Sequence, residues 1–137
     1  MAESENVALV RAIIESFGAD ELEYPFSVYD PDIVWENFTP SPAGMDEVYE
    51  GHEGIRRFWR QWLGPWDHME FEQEAYFDAG DKVVVFQRMH ARGRSSGAEA
   101  GFGDYAQLWT LRDGKVVRMK FYADRDEALR AAGIKRL

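Results

Sequence analysis

The chain has 137 residues, 45% of them hydrophobic and 15% aromatic. That suffices for one domain, residues 1–137, burying about two thirds of the surface its unfolded chain would expose, without a metal or disulfide to hold it. Its 16 basic and 25 acidic side chains leave a formal charge of −9, a field that repels phosphate backbones and anionic headgroups and argues against nucleic-acid and membrane partners. Cysteine is absent, which excludes disulfide frameworks, thiolate metal sites and a cysteine nucleophile.

The first ten residues, MAESENVALV, carry no basic leader region, and no run approaches the roughly 18 apolar residues of a membrane span, so the expected location is cytoplasmic. Val7, Val10, Ile13, Ile14 and Phe17 then recur on one helical stripe, with Ser4 as N-cap, Glu5 in the first turn and Gly18 as stop. A second, shorter helix between Asp20 and Tyr29 is kinked or started by Pro25. Asp30-Pro31-Asp32 is a turn signal, and Ile33-Val34-Trp35 reads as a short strand. Asn37 to Glu50, with Pro40, Pro42 and Gly44, reads as a loop of the kind found at functional rims. From His52 the helical period returns in Ile55, Phe58, Trp59, Trp62 and Leu63, ended by Gly64-Pro65.

The remainder reads as strands. Phe71, Gln73, Ala75 and Phe77 alternate with polar residues up to a turn at Asp78–Asp81. A long strand over Val83 to Arg92 and its partner over Gly103 to Leu111 flank a hairpin at Gly93 to Gly97. Asp113-Gly114 is a two-residue hairpin signal leading into Lys115 to Tyr122, and Asp124 to Ala132 reads as a last helix with Gly133 after it. Helices followed by three consecutive hairpins predict an α+β domain whose helices cover one face of a curved, largely antiparallel sheet.

Four stretches in this order resemble the nuclear-transport-factor-2-like superfamily, its SnoaL-like members above all. They are Tyr29-Asp30-Pro31-Asp32-Ile33-Val34-Trp35-Glu36, Gly51-His52-Glu53-Gly54-Ile55-Arg56-Arg57-Phe58, Asp78-Ala79-Gly80-Asp81-Lys82-Val83 and Leu108 to Val117. The resemblance implies a cone-shaped roll, cystatin-like, in which the sheet wraps around the N-terminal helices. It also implies a homodimer through the exposed sheet face. It does not fix a reaction, since isomerases, cyclases, hydrolases, dehydratases and plain binding modules share this scaffold.

Two family chemistries map poorly onto the chain. A ketosteroid-isomerase-like site would place a Tyr at Ile13, a carboxylate base at Asn37 with Glu36 beside it, and a protonated Asp at Gln107. Ile cannot donate and Asn cannot act as a base. An epoxide-hydrolase-like Asp-Arg-Asp set keeps its Arg at Arg88 but has His90 and Phe121 where the two Asp would be.

The period of two puts Phe86, Arg88, His90 and Arg92 on one side of a strand, expected to face a cavity. On that reading His90 is the proton carrier, Arg88 the anion stabiliser and Glu36 a second proton acceptor. Asn37, Tyr105 and Gln107 would orient a ligand oxygen, and Trp35, Trp59, Trp62, Trp66, Trp109 and Phe121 would wall an apolar pocket. Each has a plain structural alternative: a strand histidine, a paired arginine, ordinary loop and strand hydrogen bonds, and core aromatics placed by periodicity alone. His52 reads as a contact at a helix start and His68 as a surface residue.

The three histidines have no HxxxH spacing, and GxGxxG, GxxxxGK[ST] and G-x-S-x-G motifs are absent, so no metal and no nucleotide cofactor is expected. Arg88, Arg92 and Arg94 read as a solvated hairpin rather than a nucleic-acid patch. Two functions remain open: a cofactor-independent acid/base enzyme of the cyclase, isomerase or dehydratase type acting on a small hydrophobic molecule, and a non-catalytic ligand-binding or dimerisation module.

Overall fold

The computed structural model describes residues 4–18, 23–42, 44–63, 66–93 and 99–135. Helix α1 (Glu5–Gly18) begins where Ser4 caps it, its Oγ accepting from the Val7 N–H at 3.1 Å, and it buries Val7, Val10, Ile13 and Ile14 on one stripe. Helix α2 (Tyr24–Val28) carries Pro25 in its first turn, where the missing N–H is no loss. Two charge-assisted contacts of 2.9 and 3.1 Å from Arg56 to Glu23, just ahead of α2, tie this region to the helix that follows β2.

Strand β1 (Tyr29–Glu36) starts four residues before the expected Ile33. The Asp30-Pro31-Asp32 signal is realised inside it: the Asp32 N–H donates to Asp30 Oδ1 at 2.9 Å, and the pairing register shifts between Tyr29 and Val34. Within the stretch expected to be loop, β2 (Val48–Glu50) pairs antiparallel with β1, Trp35 opposite Tyr49. Helix α3 (Gly51–Leu63) follows with Ile55, Phe58 and Trp62 buried. The expected stop at Gly64-Pro65 lies outside the described residues, as do Arg94 and most of the Gly93–Gly97 hairpin.

Strands β3 (Trp66–Asp78), β4 (Lys82–Gly93), β5 (Glu99–Arg112) and β6 (Lys115–Tyr122) form the expected run of hairpins, and α4 (Arg125–Ala131) ends the chain's regular structure. The turn between β5 and β6 has positive φ at both Asp113 (52°) and Gly114 (74°), the backbone a two-residue hairpin matched to strand twist requires. The six strands make one curved, unclosed sheet in the order β2-β1-β6-β5-β4-β3, with β1 parallel to β6 and every other neighbour antiparallel. The fold is therefore the expected mixed α+β roll around N-terminal helices.

The two faces of the sheet build separate cores. The inner face packs Ile33, Trp35, Val83, Val85, Met89 and Trp109 against α1 and α3. The outer face packs Val84, Phe86, Ala106 and Leu108 against Ala128 and Leu129 of α4. Helices thus lie on both faces rather than on one, because α4 folds back behind the sheet. The alternation expected along β3 also breaks. Register moves from Gln73 opposite Gln87 to Ala75 opposite Phe86, so Glu74 is a one-residue bulge and the residues beyond it change sides. Phe71 packs with the inner core and Phe77 with the outer one.

Candidate functional site

A cavity of about 790 Å³ lies between α1, α3 and the inner face of the sheet. Its apolar walls are Ile14 from α1, Trp35 from β1, Trp59 from α3, Phe71 from β3 and Trp109 from β5. Trp35 stands at the centre of an edge-on aromatic group, with ring centroids 5.8 Å from Trp109, 6.3 Å from Trp59 and 5.6 Å from Phe58. Polar groups enter from three neighbouring strands: half-buried Gln73 of β3, opposite Gln87, and the more deeply buried pair Gln87 of β4 and Gln107 of β5, 2% and 7% exposed. Val85 is opposite Gln107 and Gln87 opposite Tyr105, so Gln87 and Gln107 are diagonal neighbours on the inner face. Exposed Glu15, Glu70, Glu72 and His90 mark the rim.

The carbonyls of Gln87 and Gln107 each already hold one donor. The Tyr105 hydroxyl donates to Gln87 Oε1 at 2.6 Å, and the Trp109 indole N–H donates to Gln107 Oε1 at 3.1 Å. Burial pushes the Tyr105 phenol well above its ordinary range, so it stays protonated and remains a donor. Among the described residues, Trp35 Nε1 is buried with no hydrogen-bond partner, and so is the hydroxyl of Tyr29, whose ring centroid is 5.9 Å from that of Trp35. Burial raises the Tyr29 phenol in the same direction.

Arg88 stands away from the cavity, which corrects the expected strand face. Along β4 the inner positions are Val83, Val85, Gln87 and Met89, while Val84, Phe86 and Arg88 face outward. Arg88 pairs with Asp104 at 2.9 Å and approaches Glu74 at 3.7 Å, contacts that hold the guanidinium above its ordinary range and the Asp104 carboxyl below its own. No residue of β4 is skipped between Gln87 and His90, since the extra residue at that bulge, 102, belongs to β5 beside Gly103 (φ 68°). Alternation therefore sets His90 on the Arg88 side, exposed, touching the cavity at its rim.

Glu36 also faces outward, accepting from Arg118 Nε at 2.8 Å. Asn37 faces inward but belongs to the loop: its amide donates to the Asp46 carbonyl at 3.2 Å and its Oδ1 accepts from the Phe38 N–H at 2.8 Å. Trp62 and Phe121 form a stacked group with Phe58 and Phe38, so they are core packing next to the cavity and not its walls. Tyr105 acts behind Gln87. Of the sequence candidates, Trp35, Trp59, Gln107 and Trp109 meet at the cavity, with His90 at its edge.

Gln87 and Phe71 were missed. A single polar residue in the otherwise apolar inner run Val83, Val85, Gln87, Met89 was the available signal for the first. His52 makes the expected helix-start contact, its Nε2 3.0 Å from the Tyr29 carbonyl. The side chains of Phe17, Trp66, His68 and Arg92 lie outside the described set. Among the described residues, no group of three or more His, Asp or Glu could hold a metal ion, and no helix is long and apolar enough to cross a membrane.

The profile of a family described as SnoaL-like domain matches residues 10–119. Among solved structures, an NTF2-like protein of unknown function from Burkholderia pseudomallei superposes with a TM-score of 0.77 at 21% identity, covering 93% of this chain and 97% of that one. TerC, co-crystallised with polyporic acid, gives 0.75 at 26% identity over 95% and 99%. A SnoaL-like polyketide cyclase, so described, from Jannaschia sp. gives 0.75 at 20% identity over 99% of both chains. Other similar structures are described as an isomerase and a hydroxylase. No functionally curated protein matches the sequence.

Proposed function

The chain belongs to the family of SnoaL-like domains, and from that premise we propose that its single domain is a binding module for a small, planar, mostly apolar molecule that carries oxygen. The observation behind this reading is the cavity itself: tryptophan and phenylalanine walls with three amides, Gln73, Gln87 and Gln107, converging on the inner face. That composition suits a ligand whose rings are buried and whose polar atom is oriented by a few fixed groups. The similar structure of TerC holding polyporic acid, at 26% identity, supports a small organic occupant for this scaffold.

Binding is favoured over acid/base chemistry because the two carboxyl-linked roles fall away. Arg88 and Glu36 are engaged in ion pairs on the outer face. The catalytic reading rests on His90 alone, supported by its place on the rim, where an imidazole can exchange a proton with the exposed end of a bound molecule. Incubation with a panel of aromatic ketones and polyketide-like acids separates the two. Binding raises the melting temperature of the protein without product accumulating. If a product does form and His90→Ala abolishes it while the melting temperature holds, the domain is an enzyme. If no member of the panel shifts the melting temperature, the cavity is not a binding site for this class.

The cytoplasmic location and the homodimer belong to the same proposal. The dimer would use the outer face beside α4, where Arg118 and Lys120 of β6 lie next to Glu36. A solution mass by light scattering equal to two chains supports it, and a mass of one chain refutes it.

A further inference from the structure

Of the aromatic rings that line the cavity, two keep open surface. Trp59 of α3 and Phe71 of β3 are half-buried and stand at 90° to each other, with ring centroids 6.4 Å apart. Trp35, its centroid 6.3 Å from that of Trp59, and Trp109 are almost wholly buried and back them. The face of an aromatic ring is electron-rich, and a cation within about 6 Å of its centroid is drawn to it, most strongly over an indole. A head group seated between Trp59 and Phe71 is within that reach of both.

The charges around these rings have one sign. The described lining holds three exposed carboxylates, Glu15, Glu70 and Glu72, and neither Lys nor Arg. Phe71 and Gln73 face inward on β3, so alternation sets Glu70 and Glu72 on the outer lip of the mouth, where Glu72 shares its field with Arg88. Glu15 comes from α1, beside the wall residue Ile14, and makes no ion pair among the described residues. The Gln73 amide likewise makes no hydrogen bond among the described residues, so its oxygen is free to accept an N–H.

From the ring pair and the sign of the lining we infer that the cavity seats an organic ammonium head carried on a flat apolar ring system, with Trp59 and Phe71 as the seat. This rests on the binding reading above and adds a positive charge to the ligand it describes. A carboxylate head would meet like charge at the mouth and electron-rich faces inside it. An uncharged head would be held by burial alone.

Three probes of matched shape test this by isothermal titration calorimetry: naphthylmethylammonium, naphthylmethanol and naphthoate. The expected result is naphthylmethylammonium binding about tenfold tighter than naphthylmethanol, a gap that added salt narrows, with naphthoate weakest. Trp59→Leu keeps an apolar wall without the π face and should bring the ammonium down to the affinity of the alcohol. Glu15→Gln should narrow the gap by about twofold. Equal affinity of the wild-type protein for the ammonium and the alcohol overturns the inference yet leaves the cavity as a binding site. A gap that neither variant reduces overturns the assigned seat, and Glu15, exposed on α1, keeps that test open if Trp59→Leu fails to fold. Naphthoate binding as tightly as the ammonium overturns the choice of charge. If none of the three binds, the binding reading falls and the inference falls with it.

Discussion

At the scale of single residues, two buried tyrosine hydroxyls in the same core make opposite statements. Tyr29 carries a hydroxyl with no partner among the described residues, while the Tyr105 hydroxyl donates to Gln87 Oε1. An unmade hydrogen bond in a core costs about 1–3 kcal/mol, whereas removing a group that has no partner removes that cost. Tyr29→Phe is therefore expected to leave the melting temperature unchanged or raise it. Tyr105→Phe strands the Gln87 carbonyl and is expected to lower stability by about 1–3 kcal/mol. Denaturant titration of both variants checks the pair, and a Tyr29→Phe loss as large as that of Tyr105→Phe would mean that Tyr29 has a partner in solution. The Trp109 indole N–H, which can only donate, likewise holds the Gln107 amide in one orientation, its oxygen toward Trp109.

At the scale of elements, periodicity carried much of the reading and failed where a strand is interrupted. The stripe Val7, Val10, Ile13, Ile14 and the set Ile55, Phe58, Trp62 name their own buried faces, and both are buried. The pairing of Tyr105, Gln107 and Trp109 on one side of β5 was equally legible, because no bulge falls between them. What periodicity cannot supply is which side of the strand is inner. Phe86 and Arg88 lie on the face opposite to the one expected, since Phe86 is as apolar as Val85 and Val84 is as apolar as both, while His90 does reach the cavity at its rim.

The deciding partner is α4, more than thirty residues away. Its Arg125 donates to the backbone carbonyls of Gln87 at 2.9 Å and Tyr105 at 3.2 Å, and its guanidinium lies over the Phe86 ring at 4.7 Å. A seven-residue helix thus clamps the outer side of the two strands whose inner side holds the cavity amides. No local pattern in 137 residues announces that position 125 reaches positions 87 and 105. The bulge at Glu74 is silent for the same reason: it inserts no glycine or proline, and the alternating letters run straight through it.

At the scale of the whole molecule, the charge of −9 and the ion pairs that tame it respond to acid in opposite directions. As pH falls from neutral, protonation of unpaired carboxylates reduces self-repulsion and favours the compact state. The paired ones behave otherwise. Arg88 holds the Asp104 carboxyl below its ordinary value, first through the hydrogen bond, and Arg56 does the same for Glu23. A carboxyl lowered in the folded state contributes stability that is present above its unfolded value, about 3.9 for Asp and 4.3 for Glu, and that is lost as pH falls through the folded value. Both pairs are exposed, so each contributes modestly and salt screens it.

The two effects separate in a difference measurement. The gap in melting temperature between the wild type and Arg88→Ala should be constant from pH 7 to about pH 5 and should close below about pH 4, where Asp104 takes up its proton in both proteins. Added salt should narrow the gap at pH 7. A gap that persists unchanged at about pH 3 would show that Arg88 stabilises the outer face through its packing beside Phe86 and not through its charge, and the acid limb of the stability curve would then have to come from carboxylates elsewhere on the sheet.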